Sequence, residues 1–181
     1  WGTWSGDVLH EGSTHQEGGV WVSSGAWMTF APGQKHVVQL KIGISYVSEA
    51  QARQNATTEI PAFDFDQTHA QAVAAWDKAL SPIEIKGASE EDRQIFYTAV
   101  YHTMLTPEDH TGENPAWKSD EPYYDDFFCI WDTFRSSGPL LTLIAPDRQA
   151  AMVRTLVDVY RHDGWLPDAR SGSFTGRTQG G

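Results

Sequence analysis

The residues with the most chemical potential stand in one run: Asp125-Asp126-Phe127-Phe128-Cys129-Ile130-Trp131-Asp132-Thr133-Phe134-Arg135. An apolar, aromatic stretch here delivers Trp131, Asp132 and Arg135 within five positions. Asp and Arg are costly to bury unless they are paired or bind a ligand. A flat indole beside a carboxylate and a guanidinium suits a sugar-binding wall. The ring covers the apolar face of a pyranose, and the charged groups take its hydroxyls. The competing reading is a structural Asp132–Arg135 pair under a buried Trp131. Residue types alone favour that structural reading.

Other chemistries find little support. Asp109-His110 resembles a metal pair but has no partner one helical turn away. Asp120, Glu121, Asp125 and Asp126 offer oxygens, yet no Asp-x-Asp-x-Asp-Gly calcium loop surrounds them, and a solvated acidic face explains them better. Ser171-Gly172-Ser173 is not the Gly-x-Ser-x-Gly turn of a serine nucleophile. Gly180-Gly181 lacks the lysine of a phosphate loop. Cys129 is the single cysteine, so no disulfide or thiolate cluster can form within the chain. It reads as a small buried hydrophobe. His102, beside Tyr101, reads as a semi-buried structural histidine.

Composition narrows the partners. The 181 residues carry a net charge of -11 and no Lys/Arg cluster, which argues against nucleic acid and anionic membranes. Acidity suits a neutral ligand or a cation better than a polyanion. The chain is rich in Trp, with eight, and Trp is a common material of carbohydrate sites as well as a large core filler. No apolar run reaches the roughly 20 residues that span a bilayer.

The elements that must position these residues change character along the chain. Gly18–Val22, Ser24–Phe30 and above all Val37–Val47 alternate as strands do, with Val38, Leu40, Ile42, Ile44 and Tyr46 on one face. Ala31-Pro32-Gly33-Gln34 reads as a turn. Ser48 caps a short helix to Asn55, a second helix runs from Asp66 to Leu80, and Ile83–Ile85 reads as a short strand. Ser89-Glu90-Glu91-Asp92 resembles a capping box opening a helix that stops near Thr106-Pro107. Residues 108–124 form a polar loop long enough to be functional. A short helix over Leu140–Ile144, a helix opened by Pro146 and closed by Gly164, and a Gly-rich tail follow. Strands first and helices after predict an α+β chain. The chain reads as a segment of a larger protein.

Six motifs in order resemble glycoside hydrolase family 92, the calcium-dependent exo-α-mannosidases. They are Ile42–Ala52, Phe96–Thr103, Ile130–Arg135, Pro139–Ile144, Asp163–Pro167 and Gly176–Gly181. The resemblance covers nearly the whole chain from about Ile42. It implies an antiparallel β-sandwich packed on an (α/α)6 barrel of helical hairpins, with the active site between them. On that plan residues 1–62 belong to the sandwich, 63–88 form a linker helix and short strand, and 89–181 begin the barrel.

The resemblance also implies hydrolysis of terminal α-linked mannose with inversion. It puts the catalytic acid, the base and most Ca2+ ligands beyond Gly181, so no catalytic or metal residue transfers to this chain. It reverses the odds at the opening run. On that resemblance Asp132 is expected to accept hydrogen bonds from sugar hydroxyls, Trp131 to wall the pocket, and Arg135 to orient Asp132 as a bidentate partner. The same resemblance implies that Trp165 lines the pocket on another loop and that Asp168 and Arg170 contact the leaving-group side. The expected partners are a mannose-containing glycan and the remainder of the same polypeptide, in a secreted or periplasmic protein. Two rivals remain open at this stage: a family member cleaving a mannosyl phosphodiester, and a non-catalytic carbohydrate-binding module. A purely structural scaffold, with Trp131 and Asp132 in the core, is a third.

Overall fold

The computed structural model describes residues 1–19, 21–33, 37–128, 130–172 and 174–176, the last three as backbone only. It divides into two compact units, Trp1–Val38 and Gln39–Gly181. Cys129 and the Gly-rich end at 177–181 lie outside the described residues, and with them the buried role expected of the thiol.

The first unit holds a three-stranded antiparallel sheet, ordered β2-β1-β3. Its strands are β1 (Gly2–Ser5), β2 (Val8–Glu11) and β3 (Ser24–Trp27). Gly2 faces Glu11 on one side and Trp27 on the other. A side chain on Gly2 would strike the carbonyl of His10, so only glycine fits that close approach. The strand expected over Ser24–Phe30 is present in its first half. The strand expected over Gly18–Val22 is not formed among the described residues: Gly19 and Val22 make an isolated bridge, and Trp21 is left-handed at φ 72°. Val20 and Gln34 lie outside the described residues.

In the second unit the caps read from sequence hold. Ser48 Oγ accepts from the Gln51 amide and starts α1 (Glu49–Glu59). Asp64 caps α2 (Phe65–Leu80), one residue ahead of the expected start. Ser89 accepts from the Asp92 amide and donates to its carboxylate at the head of α3 (Glu90–Thr103). Next come β4 (Glu108–Asp109), β5 (Tyr124–Asp125), the one-turn α4 (Ile130–Thr133), α5 (Ser137–Ile144) and α6 (Pro146–Asp163). The helix expected at Leu140 starts earlier and takes in Gly138-Pro139, because Pro is tolerated in a first turn. The tail is not a plain loop: β6 (Ala169–Ser171) and β7 (Phe174–Gly176) form an antiparallel hairpin.

The core of this unit gathers Val100, Met104, Tyr124, Phe127, Leu141 and Met152, with Trp76, Phe96, Ile130 and Leu156 packed on it. On α3 the buried stripe runs through Phe96, Val100 and Met104, while Ile95 is exposed. The mixture of short antiparallel sheets and helices agrees with the α+β expectation.

The long strand expected over Val37–Val47 is absent. The period-2 pattern is kept, but the side that packs is the opposite one. Lys41, Gly43 and Ser45 are part-buried, while Leu40, Ile42, Ile44 and Tyr46 are exposed. Lys41 Nζ donates to the Ile60 carbonyl (2.8 Å), Asn55 Nδ2 to the Ile44 carbonyl (3.0 Å), and Gly43 lies so close to the Ala52 carbonyl that a Cβ would not fit. The segment packs on α1 and meets no neighbouring strand among the described residues, so no ladder forms. Ile83–Ile85 is likewise not a strand. The Ile83 carbonyl is used instead as acceptor for the Tyr97 hydroxyl (2.8 Å).

Candidate carbohydrate site

Two of the sequence motifs meet because Gly164 lets α6 stop sharply. Its φ of 81° gives a left-handed cap that most side chains resist. The chain then folds back beside the aromatic run. The Arg170 amide donates to the Phe127 carbonyl (3.0 Å), and the Ile130 amide donates to the Asp168 carbonyl (2.8 Å). The second bond anchors the start of α4, which carries Trp131 and Asp132. The Phe134 amide closes that turn on the Ile130 carbonyl (3.1 Å).

Neither Trp131 nor Asp132 is core. The indole is 44% exposed and Asp132 is exposed beside it. The complete burial that a purely structural role would need is therefore not seen at either residue. The expected Asp132–Arg135 pair is not formed among the described residues. The Arg135 guanidinium instead lies over the Phe134 ring at 5.1 Å. With both side chains in water, an ion pair gains little and costs rotamer freedom. An apolar cavity of about 220 Å3 lies on the other side of the turn, lined by Phe127, Ile130, Phe134, Leu141, Met152 and Leu156. It includes neither Trp131 nor Asp132.

Behind the turn sits a buried polar cluster centred on Arg170, which is 2% exposed. Its Nε lies 3.5 Å from Asp125 Oδ1, and its Nη1 lies 3.6 Å from Asp163 Oδ2. Nη2 donates to the Tyr123 hydroxyl (3.4 Å), and the guanidinium faces the rings of Trp117 and Tyr123 at 5.3 and 5.8 Å. Trp117 in turn donates through Nε1 to Asp158 Oδ2 (2.8 Å) and stacks on His162 at 4.6 Å. Arg170 and Asp168 are thus enclosed by protein, and Trp165 is part-buried.

The polar loop expected to be functional folds over this cluster. It leaves a cleft of about 500 Å3 lined by Val47, Gly112, Asn114, Trp117, Asp120 and Tyr123, among others. His162 and Arg170 both engage the Trp117 ring. The loop is pinned by Thr155, whose hydroxyl donates to the Pro122 carbonyl (2.9 Å) and accepts from the Tyr124 amide (3.1 Å). Burial pushes the Tyr124 hydroxyl above its usual pKa, and Asp109 adds to this against the opposing charge of Arg148. Asp126 is left-handed at φ 59° and accepts from the Ser171 hydroxyl, which ties the run to the hairpin turn.

Several of the remaining acidic residues have structural partners. His110 pairs with Glu108 (2.9 Å), Asp109 accepts from Thr111, and Glu121 pairs with Arg154 (2.7 Å). Among the described residues no group of three or more His, Cys, Asp or Glu is placed to hold a metal ion. Sequence reasoning missed Trp117 and Asp158 as site-building residues. A tryptophan within a polar loop, near Tyr123, was the available signal.

Residues 51–181 match the glycosyl hydrolase family 92 catalytic domain. A secreted glycosidase of Arthroderma benhamiae, itself uncharacterized, is 36% identical over 148 residues. The match covers 80% of this chain and 16% of that protein, so the chain spans about a sixth of the length of the relative.

Proposed function

This chain belongs to glycosyl hydrolase family 92, and on that premise we propose that the full-length protein hydrolyses terminal α-linked mannose from glycans with inversion. The observation that carries the proposal is the exposed Trp131–Asp132 turn, anchored on the Asp168 carbonyl. In this reading Trp131 lies against the apolar face of the terminal sugar. Asp132 accepts from its hydroxyls, a charge-assisted contact stronger than a neutral one. Trp165 forms part of the wall. Arg135 reaches the sugar or solvent from over Phe134, and Arg170 with Asp168 holds the turn from behind. The net charge of -11 supports a neutral glycan over a mannosyl phosphodiester.

The acid and base are assigned to parts of the protein outside this chain. An inverting pair stands roughly 6.5–9.5 Å apart to admit a water. Among the described residues no group of three or more His, Cys, Asp or Glu is placed to hold a calcium ion. Calcium is assigned on the family resemblance to residues elsewhere, and no step is derived through it. We place 1–62 in a β-sandwich, 63–88 in a linker and 89–181 at the start of an (α/α)6 barrel. The relative is named as secreted, which supports secretion of this protein; no described helix is long and apolar enough to cross a membrane.

The test is direct. The full-length protein is incubated with a terminal α-mannoside and the first-formed sugar is followed by proton NMR. β-Mannose appearing first, with activity lost to chelator and restored by Ca2+, is the expected result. Release of no mannose, or of α-mannose first, contradicts the proposal.

A further inference from the structure

The cleft under the polar loop has two walls from distant parts of the sequence. Val47 stands on one, and Gly112, Asn114 and Trp117 on the other. One side chain joins them. Glu113 Oε2 accepts from the Ser45 hydroxyl and from the Tyr46 amide (3.2 Å), and Oε1 accepts from Asn55 Nδ2 (2.7 Å). Ser45 Oγ also accepts from the amides of Val47 (3.0 Å) and Ser48 (3.4 Å), so the carboxylate is tied through it to the lining residue Val47 and to the cap of α1. On the loop side the Glu113 amide donates to the His110 carbonyl (2.8 Å), the His110 amide donates to the Tyr123 carbonyl (2.8 Å), and the His110 ring stacks on Tyr46 at 4.8 Å.

We propose that Glu113 is a positioning residue for glycan binding: its carboxylate clamps the 108–124 loop to the Ser45–Ser48 segment and so sets the width of the cleft under that loop. The inference rests on the glycosidase reading for its effect on substrate, while the clamp itself stands on geometry alone. Glu113 touches neither sugar nor reacting atoms in this account. It acts by holding Asn114 and Trp117 opposite Val47. Three donors converge on one carboxylate, and each charge-assisted bond is worth more than a neutral one. A glutamine in its place keeps the shape but presents an NH2 to one of those donors.

The experiment uses full-length protein carrying Glu113→Gln. Amide hydrogen exchange across 108–124 and KM and kcat on a terminal α-mannoside are read together. The variant is expected to exchange about tenfold faster in that loop, and to raise KM about tenfold with kcat little changed, as the loss of one charge-assisted bond implies. Unchanged exchange in the variant overturns the clamp. Faster exchange with unchanged KM overturns its role in binding. If wild-type protein cleaves no mannoside, the substrate reading fails and the exchange arm still decides the clamp.

Discussion

Arg170 Nε lies 3.5 Å from Asp125 Oδ1, with the two residues 2% and 3% exposed. This pair joins the β6 strand to the start of the aromatic run, and Trp117, Tyr123 and Asp163 close around it. A buried charge left without its partner is strongly destabilising, by about 3–5 kcal/mol. Arg170→Met should therefore lower the stability of the full-length protein by about that amount. Chemical denaturation of the two proteins measures it. A change below about 1 kcal/mol would show that the cluster does not hold the fold in the way its burial indicates.

Thr155 gives a smaller, cleaner effect. Its hydroxyl is the partner of both the Tyr124 amide and the Pro122 carbonyl, at 1% exposure. Thr155→Val keeps the shape and removes the partner of both groups, at a cost of about 1–3 kcal/mol. The same denaturation experiment reads it, and hydrogen exchange at the Tyr124 amide should rise in parallel.

Gly164 caps α6 at φ 81°, with open space where a Cβ would go. Gly164→Ala therefore meets no clash and carries only the cost of the left-handed conformation, about 1 kcal/mol. A drop in melting temperature without a change in KM is expected, because Trp165 stays in place. A neutral substitution would mean that the cap is not needed to turn the chain back.

The Glu113 clamp carries a pH signature. Burial raises the carboxyl pKa, but donation from Asn55, Ser45 and the Tyr46 amide, with His110 nearby, outweighs it and holds the group below its usual 4.5. A folded pKa below the unfolded one contributes stability above about pH 4.5, and that contribution fades as pH falls through the lower folded value. Wild type should thus be more stable than Glu113→Gln at neutral pH, with the gap closing under acid. Denaturation of both proteins between neutral and acid pH checks the sign.

How much of this was legible beforehand depends on the range of the physics. Local signals carried through: Ser48, Ser89, Pro146 and Gly164 mark helix ends because caps are satisfied within a few residues. Strands were less secure. Leu40, Ile42, Ile44 and Tyr46 alternate as a sheet face does, yet a ladder needs a neighbouring strand, and among the described residues that segment has none and packs on α1. The β6–β7 hairpin was missed although Ser171-Gly172 is a turn signal. Trp131 and Asp132 were legible as a pair, and the structure exposes both. Glu113 and Asp158 were not, because their partners lie 58 and 41 residues away, at Asn55 and Trp117.

The central claim is that Asp132 holds the terminal sugar. Its most direct test is KM and kcat of full-length Asp132→Ala against wild type on a terminal α-mannoside. Losing a charged acceptor costs about 1.5–3 kcal/mol, so kcat/KM should fall by at least about tenfold while the melting temperature stays unchanged, since Asp132 is exposed. Wild-type KM and kcat in the Asp132→Ala protein would contradict the account.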